Sequence, residues 1–297
     1  MSRSSTQLVP VVATLGSAAL FGTSATSRAL SELTIDSVTV ASVRLLLGAL
    51  GLVAISALYG RFTHLLALWK MKLIWVMGVG VAAYQALFFV GTGIVGVAIG
   101  TLASLALGPL FAGLLAWVRG QKKPSTIWWI STSIAIAGLV TLSSSAFNGD
   151  VRLDPIGIFA AVGAGGAYAI YTVLGSQLAQ ADSHPTDVLA ASFLIGAVLL
   201  LPLGVGHVSQ FNSSTGIALA LWLGLATTTL AYVLFGKGIA ALPAGTVATL
   251  NLAEPVIATA LGVVVLHETV SGVSAMGCAL IALSLAVLAA ATLRGKA

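Results

Sequence analysis

Ten apolar stretches, each long enough to cross a bilayer and parted by short polar breaks, constrain this chain more than any other feature. A hydrocarbon core of ~30 Å takes about 20 helical residues. The stretches run over 9–26, 37–58, 73–90, 95–118, 126–145, 156–177, 188–204, 216–235, 243–266 and 271–293. The narrowest break, 91–94, divides the third from the fourth. The period-two alternation of a membrane barrel is absent. Lipid offers backbone groups no partners, so each stretch must satisfy its own hydrogen bonds as a helix. The expectation is an all-α membrane protein with ten transmembrane helices. Charged residues make up 7% of the 297, against ~25% in soluble domains, which excludes a soluble enzyme, a nucleic-acid binder and a disordered chain. The single cysteine, Cys278, lies in an apolar run, so neither a disulfide framework nor paired metal ligands are expected. The first stretch is read as a span rather than a secretion signal, because no small-residue cleavage site and soluble domain follow it.

The cations orient the spans. With both termini cytoplasmic, that side collects ten of the 13 Lys and Arg, the other side holds Arg28 and Arg152, and Arg44 lies within a span. This is a strong positive-inside bias. The longest polar break on the outer side, 147–155, divides the spans five and five, giving repeats at 1–146 and 156–297. A shift of 146 residues places Pro109 on Pro255, Ala112 on Ala258, Leu115 on Leu261 and Ser125 on Ser271. An odd number of spans per repeat turns the halves opposite ways. Inverted repeats are common in secondary transporters, whose sites lie at the repeat interface near the midplane.

Glu254 is the only acid inside a predicted span. It is twelfth of 24 residues, about 17 Å deep at 1.5 Å per residue. A carboxylate at that depth costs ~3 kcal/mol unless paired, hydrated or protonated. It is read as a cavity group that binds a substrate ammonium or titrates as a coupling proton site, against a neutral Glu bonded to a neighbouring helix. Asn251 sits one turn earlier on its face. Arg44, about 10 Å below the outer surface, meets a substrate carboxylate, pairs with Glu254, or snorkels outward. One cation and one anion would suit a zwitterionic amino acid. Pro109 and Pro255 are candidate hinges at matched positions. Gln85, Tyr84, Tyr168, Tyr171 and Trp222 are candidate cavity residues, and Tyr232, near a span end, is assigned to the interfacial belt. Gly96 and Gly100 form a small-residue step for helix packing, as do Gly163, Gly165 and Gly166.

Several segments resemble the EamA family of the drug/metabolite transporter superfamily. Ala19, Leu20, Phe21 and Gly22 stand in the first span, and Arg44 through Gly48 in the second. Leu107, Gly108, Pro109, Leu110, Phe111 and Ala112 stand in the fourth, with Asn251 through Ala258 and then Leu266, His267 and Glu268 in the ninth. Gly120, Gln121 and Lys122 replace the Gly–Glu pair with which the family often ends the fourth span, which removes an acid from the cytoplasmic side. The resemblance implies a cavity lined by spans 1–4 and 6–9, spans 5 and 10 at the periphery, and export or exchange of small polar metabolites, amino acids among them. It also implies a bacterial inner (plasma) membrane.

An intramembrane enzyme gets little support. The four histidines lie near span ends on different loops, the second His of a zinc-protease helix is missing, and no nucleophile elbow or phosphate loop appears. One carboxylate gives no ring of charges for a channel. The expected partners are the lipid bilayer, a small-molecule substrate and protons, but no nucleic acid, in a monomer or a homodimer. A proton-independent facilitator or channel-like permease for metabolites or drugs is the alternative.

Overall fold

The computed structural model describes residues 3–144, 154–181 and 183–295, with side chains from Gln7 onward. Most of the segment 147–155, together with Asp182 and Lys296, lies outside the described residues. Among the described residues there is no strand, and ten helices are long and apolar enough to span a membrane. These are span 1 (Gln7–Ser31), span 2 (Ser37–Leu58), span 3 (Lys72–Val95), span 4 (Val97–Val118), span 5 (Thr126–Ser144), span 6 (Pro155–Gln180), span 7 (Pro185–Phe211), span 8 (Ser214–Ala241), span 9 (Ala244–Leu266) and span 10 (Gly272–Leu293).

Short polar side chains start several of them. A helix leaves its first N–H groups without intrahelical partners, and Asp36, Asp154, Ser213 and Ser271 accept from those groups at spans 2, 6, 8 and 10. At span 6, Asp154 Oδ1 takes the Ile156 N–H at 2.8 Å while Pro155, which has no N–H to orphan, holds the first position. A seven-residue helix, Phe62–Leu68, links spans 2 and 3 and buries Leu65 and Leu68.

Several boundaries depart from the sequence reading, among them the ends of span 1, which runs on to Ser31, and of span 7, which covers 185–211. The turn between spans 3 and 4 is at Gly96, not 91–94. Gly96 has φ 87°, a left-handed value that a glycine adopts without steric cost, so it is a turn residue and not half of a packing step. Gly100 does pack, against the backbone of Thr92. Span 8 runs on to Ala241, with a π-helical stretch at Trp222–Leu230. Span 9 is broken: one helix ends at Leu250 and the next starts at Ala253. Pro255 explains the place. Proline cannot donate to the carbonyl four residues back, and its ring clashes with that carbonyl; here it belongs to Asn251, which instead accepts the Glu254 N–H at 3.0 Å. Pro109, the matched proline, sits in an unbroken helix.

Glycines set the close approaches. Span 2 meets span 8 at Gly48 and Gly224, and span 3 meets span 7 at Gly78 and Gly196. Span 1 meets span 9 at Gly22 and span 6 meets span 4 at Gly165, while Gly138 and Gly277 join spans 5 and 10. Such contacts bring backbones together where lipid gives no hydrophobic drive for association. Exchanging each of the first five spans with the span five later converts this set of pairings into itself. Of the sequence patch, Gly165 falls on one of these seams, against Ser104 of span 4, while Gly163 faces Leu87 of span 3.

Candidate functional site

One cavity of about 360 Å³ occupies one half of the bundle, where span 1 ends, span 2 begins, span 3 ends and span 4 begins. Spans 1–4 and 6–9 all line it and spans 5 and 10 do not. Its volume is that of a small-molecule site.

The break in span 9 presents the polar groups. Asn251 is nine-tenths buried, accepts from Ser17 Oγ (3.2 Å) and donates through Nδ2 to the Tyr168 hydroxyl (3.3 Å), tying spans 1, 6 and 9 together. Three residues on, Glu254 lines the cavity, and among the described residues its carboxyl has no hydrogen bond or ion pair. Arg44 lines the same space, within electrostatic reach of Glu254, so it faces inward rather than snorkelling. Gln85 and Pro109 also line it.

Aromatic rings form the floor. Tyr84 lies 6.0 Å from Tyr168 and 6.2 Å from Tyr171, Tyr168 lies 5.3 Å from Tyr171, and the rings are tilted or edge-on as aromatic pairs prefer. The Tyr171 and Tyr232 hydroxyls are 3.3 Å apart, and Phe193 packs on Tyr232 at 4.3 Å.

Three sequence assignments change. Tyr232 is a floor residue and not a belt residue, because span 8 continues nine residues past it. Trp222 is not in the cavity: it is 46% exposed on the bundle's outside and donates Nε1–H to Thr23 Oγ1 at 3.1 Å. Glu254 is not the only acid in a span, because Asp187 sits in the first turn of span 7 and is fully buried. Sequence reasoning also missed Phe193 and Arg28. Phe21, Ser24, Ala25 and Arg28 form a helical stripe at spacings of three and four that faces the cavity. That stripe was legible once Phe21 was singled out.

At the opposite end of the bundle Asp187 gathers a cluster of cations and histidines. Arg61 Nε donates to both carboxylate oxygens (3.1 and 3.2 Å), His64 Nδ1 approaches one at 3.1 Å, and His184 Nδ1 is 4.0 Å from the other. Burial, with the Arg61 guanidinium nearby, pushes His184 below the usual histidine range. Beside this cluster, Arg119 and Gln177 exchange hydrogen bonds, and Gln180 donates to the Ile239 and Leu242 carbonyls. At the cavity mouth, the Thr39 N–H holds the Asp36 carboxyl below the usual carboxylate range.

A bundle of ten apolar spans around a cavity that holds charged side chains, with a helix broken beside one of them, is an architecture found in multi-pass membrane transporters. The EamA-like transporter family model matches residues 155–290. The chain is 35% identical over 277 residues to the uncharacterized transporter YwfM of Bacillus subtilis (strain 168), covering 93% of this chain and 92% of that one. It is also 32% identical over 167 residues to the threonine/homoserine exporter RhtA of Escherichia coli (strain K12), covering 55% of this chain and 53% of that one. A solved crystal structure matches all of both chains with a TM-score of 0.81 at 23% identity, which shows the fold. The chain belongs to the EamA-like transporter family.

Proposed function

We propose that this transporter is a secondary carrier of the bacterial plasma membrane that moves an amino acid or a related small polar metabolite by alternating access. Two inverted five-helix repeats, 1–146 and 156–297, joined by 147–155, would rock about the cavity with both termini cytoplasmic. Three observations support this reading: the exchange symmetry of the span pairings, the cation bias, and the cavity's position at the cation-poor end. The cavity then faces outward, and the Asp187 cluster closes the cytoplasmic end. The likeness to RhtA supports an amino-acid substrate and export.

The observation that carries the mechanism is the unpartnered Glu254 beside the break in span 9. A carboxyl that no side chain satisfies is available to a substrate ammonium or to a proton. Arg44 would take the substrate carboxylate, and Gln85, Tyr84, Tyr168 and Tyr171 would shape the pocket around both. Inward opening requires Arg61 and His64 to part from Asp187, and the Asn251–Leu252 break is where span 9 would bend.

Uptake and counterflow in proteoliposomes test this. Glu254→Gln should lower transport about tenfold or more, the value of a charge-assisted hydrogen bond, and flatten its pH dependence. Unchanged rate, affinity and pH response would remove Glu254 from the mechanism. Transport of wild type that ignores an imposed pH gradient would make the protein a facilitator instead.

A further inference from the structure

The cavity's charges narrow the substrate beyond a neutral zwitterion, an inference that rests on the amino-acid reading above. Two guanidinium groups line it, Arg28 from span 1 and Arg44 from span 2, but only one acid, Glu254. Among the described residues, neither arginine has an ion pair with an acid. Arg28 is held at the rim, donating through Nη2 to the Ile35 carbonyl (3.2 Å) and through Nη1 to Ser37 Oγ (3.4 Å), which fixes its position without an ion pair. The acid near it, Asp36, caps span 2 through Oδ2, which accepts from the Thr39 N–H (2.9 Å) and hydroxyl (3.1 Å); it attracts Arg28 from outside the cavity, within which Glu254 is the one acid. One turn inward from Arg28, the Ser24 hydroxyl is buried with no hydrogen-bond partner among the described residues.

The groups are spread along the cavity. Gly22 packs against the Glu254 carbonyl, so Arg28, six residues further along span 1, stands about 9 Å nearer the rim. Two like charges in a cavity walled by Val81, Phe88, Phe89 and Val97 repel each other unless an anion lies between them or on each. A guanidinium is shaped for the two oxygens of a carboxylate or phosphate. A neutral amino acid satisfies one guanidinium and strands the other. A solute with one ammonium and two acidic groups satisfies all three.

We propose that the substrate is an amino acid carrying a second acidic group, with its ammonium at Glu254, one acidic group on each arginine, and Arg28 as the residue that selects for the second. Binding to the purified full chain, measured by calorimetry with aspartate, glutamate, threonine and succinate, tests this. The acidic amino acids should bind at least tenfold tighter than threonine, and tighter than succinate, which lacks the ammonium. Arg28→Gln should cut that preference about tenfold, and Arg28→Lys should restore part of it. Threonine binding as tightly as aspartate overturns the inference while leaving an amino-acid carrier intact, and so does an Arg28→Gln loss equal for both. Succinate binding more tightly than aspartate overturns the placement of the ammonium. No binding of any amino acid overturns the amino-acid reading and this inference with it.

Discussion

Asp187 and Glu254 are both acids inside apolar spans, and the fold treats them in opposite ways. Asp187 is fully buried and surrounded: Arg61 on both oxygens, His64 on one, His184 close to the other. Glu254 is half-buried, faces the cavity, and among the described residues has no partner within hydrogen-bond distance. Both carry the desolvation penalty that makes intramembrane charge rare. At Asp187 protein groups offset it through an ion pair and hydrogen bonds. At Glu254 only the attraction of Arg44 across the cavity offsets it, with no hydrogen bond to the carboxyl among the described residues. An ionisable group deep in a bundle therefore signals function only when its partners are missing, and only the tertiary structure shows that.

Four experiments bear on the contrast, the largest effect first. Asp187→Asn leaves Arg61 facing two histidines. Removing one partner of a fully buried pair costs 3–5 kcal/mol, but the Arg61 side chain is 26% exposed, so a loss of about 2 kcal/mol is expected in detergent unfolding. Labelling of a cysteine placed at Leu65 should rise as the end loosens. A variant as stable and as closed as the parent would show the cluster to be dispensable. Gly48→Val should cost about 1–3 kcal/mol, as overpacking does, because the new side chain meets Thr228 on span 8; an equal loss at Gly196, which meets Val81 on span 3, would show that the two seams are equivalent.

The third concerns pH. His184 titrates below its unfolded value, so the unfolded chain binds the extra proton first and stability falls as pH drops below about 6.5. Arg61, His64 and Asp187 face the same group, so His184→Gln should remove part of this acid sensitivity without changing stability at pH 8. Trp222→Phe should have the smallest effect, a few tenths of a kcal/mol, with transport unaltered, since the indole is outside the cavity and its one hydrogen bond is to Thr23. A transport defect there would return Trp222 to the site.

Much of the site was readable before the fold was known, because it lies on strong local signals. Glu254 and Arg44 stand out by charge against apolar surroundings, and Pro255 by its missing N–H. Tyr84, Gln85, Tyr168 and Tyr171 stand out as polar atoms at mid-span, and all of them line the cavity. The misreadings share one cause. Tyr232 is assigned by its distance from a span end and Trp222 by its residue type, and neither says which way a helix face turns. Arg28 was counted as a loop charge because span 1 outlasts its apolar stretch. Asp187 looked like a loop acid because its partners, Arg61 and His64, lie more than 120 residues away.

The sequence by itself determined that this chain crosses a membrane as ten helices, because a lipid core permits no other way to satisfy so many apolar residues' backbone groups. It also marked Pro109 and Pro255 as two places where a helix could break, of which only the second does. Only the tertiary structure decided which buried acid is paired and which is open, which aromatics form a floor, and that a second arginine shares the cavity. Those facts depend on how helices distant in sequence rotate against one another at glycine seams, and that rotation is fixed by packing between spans rather than by anything a single span encodes.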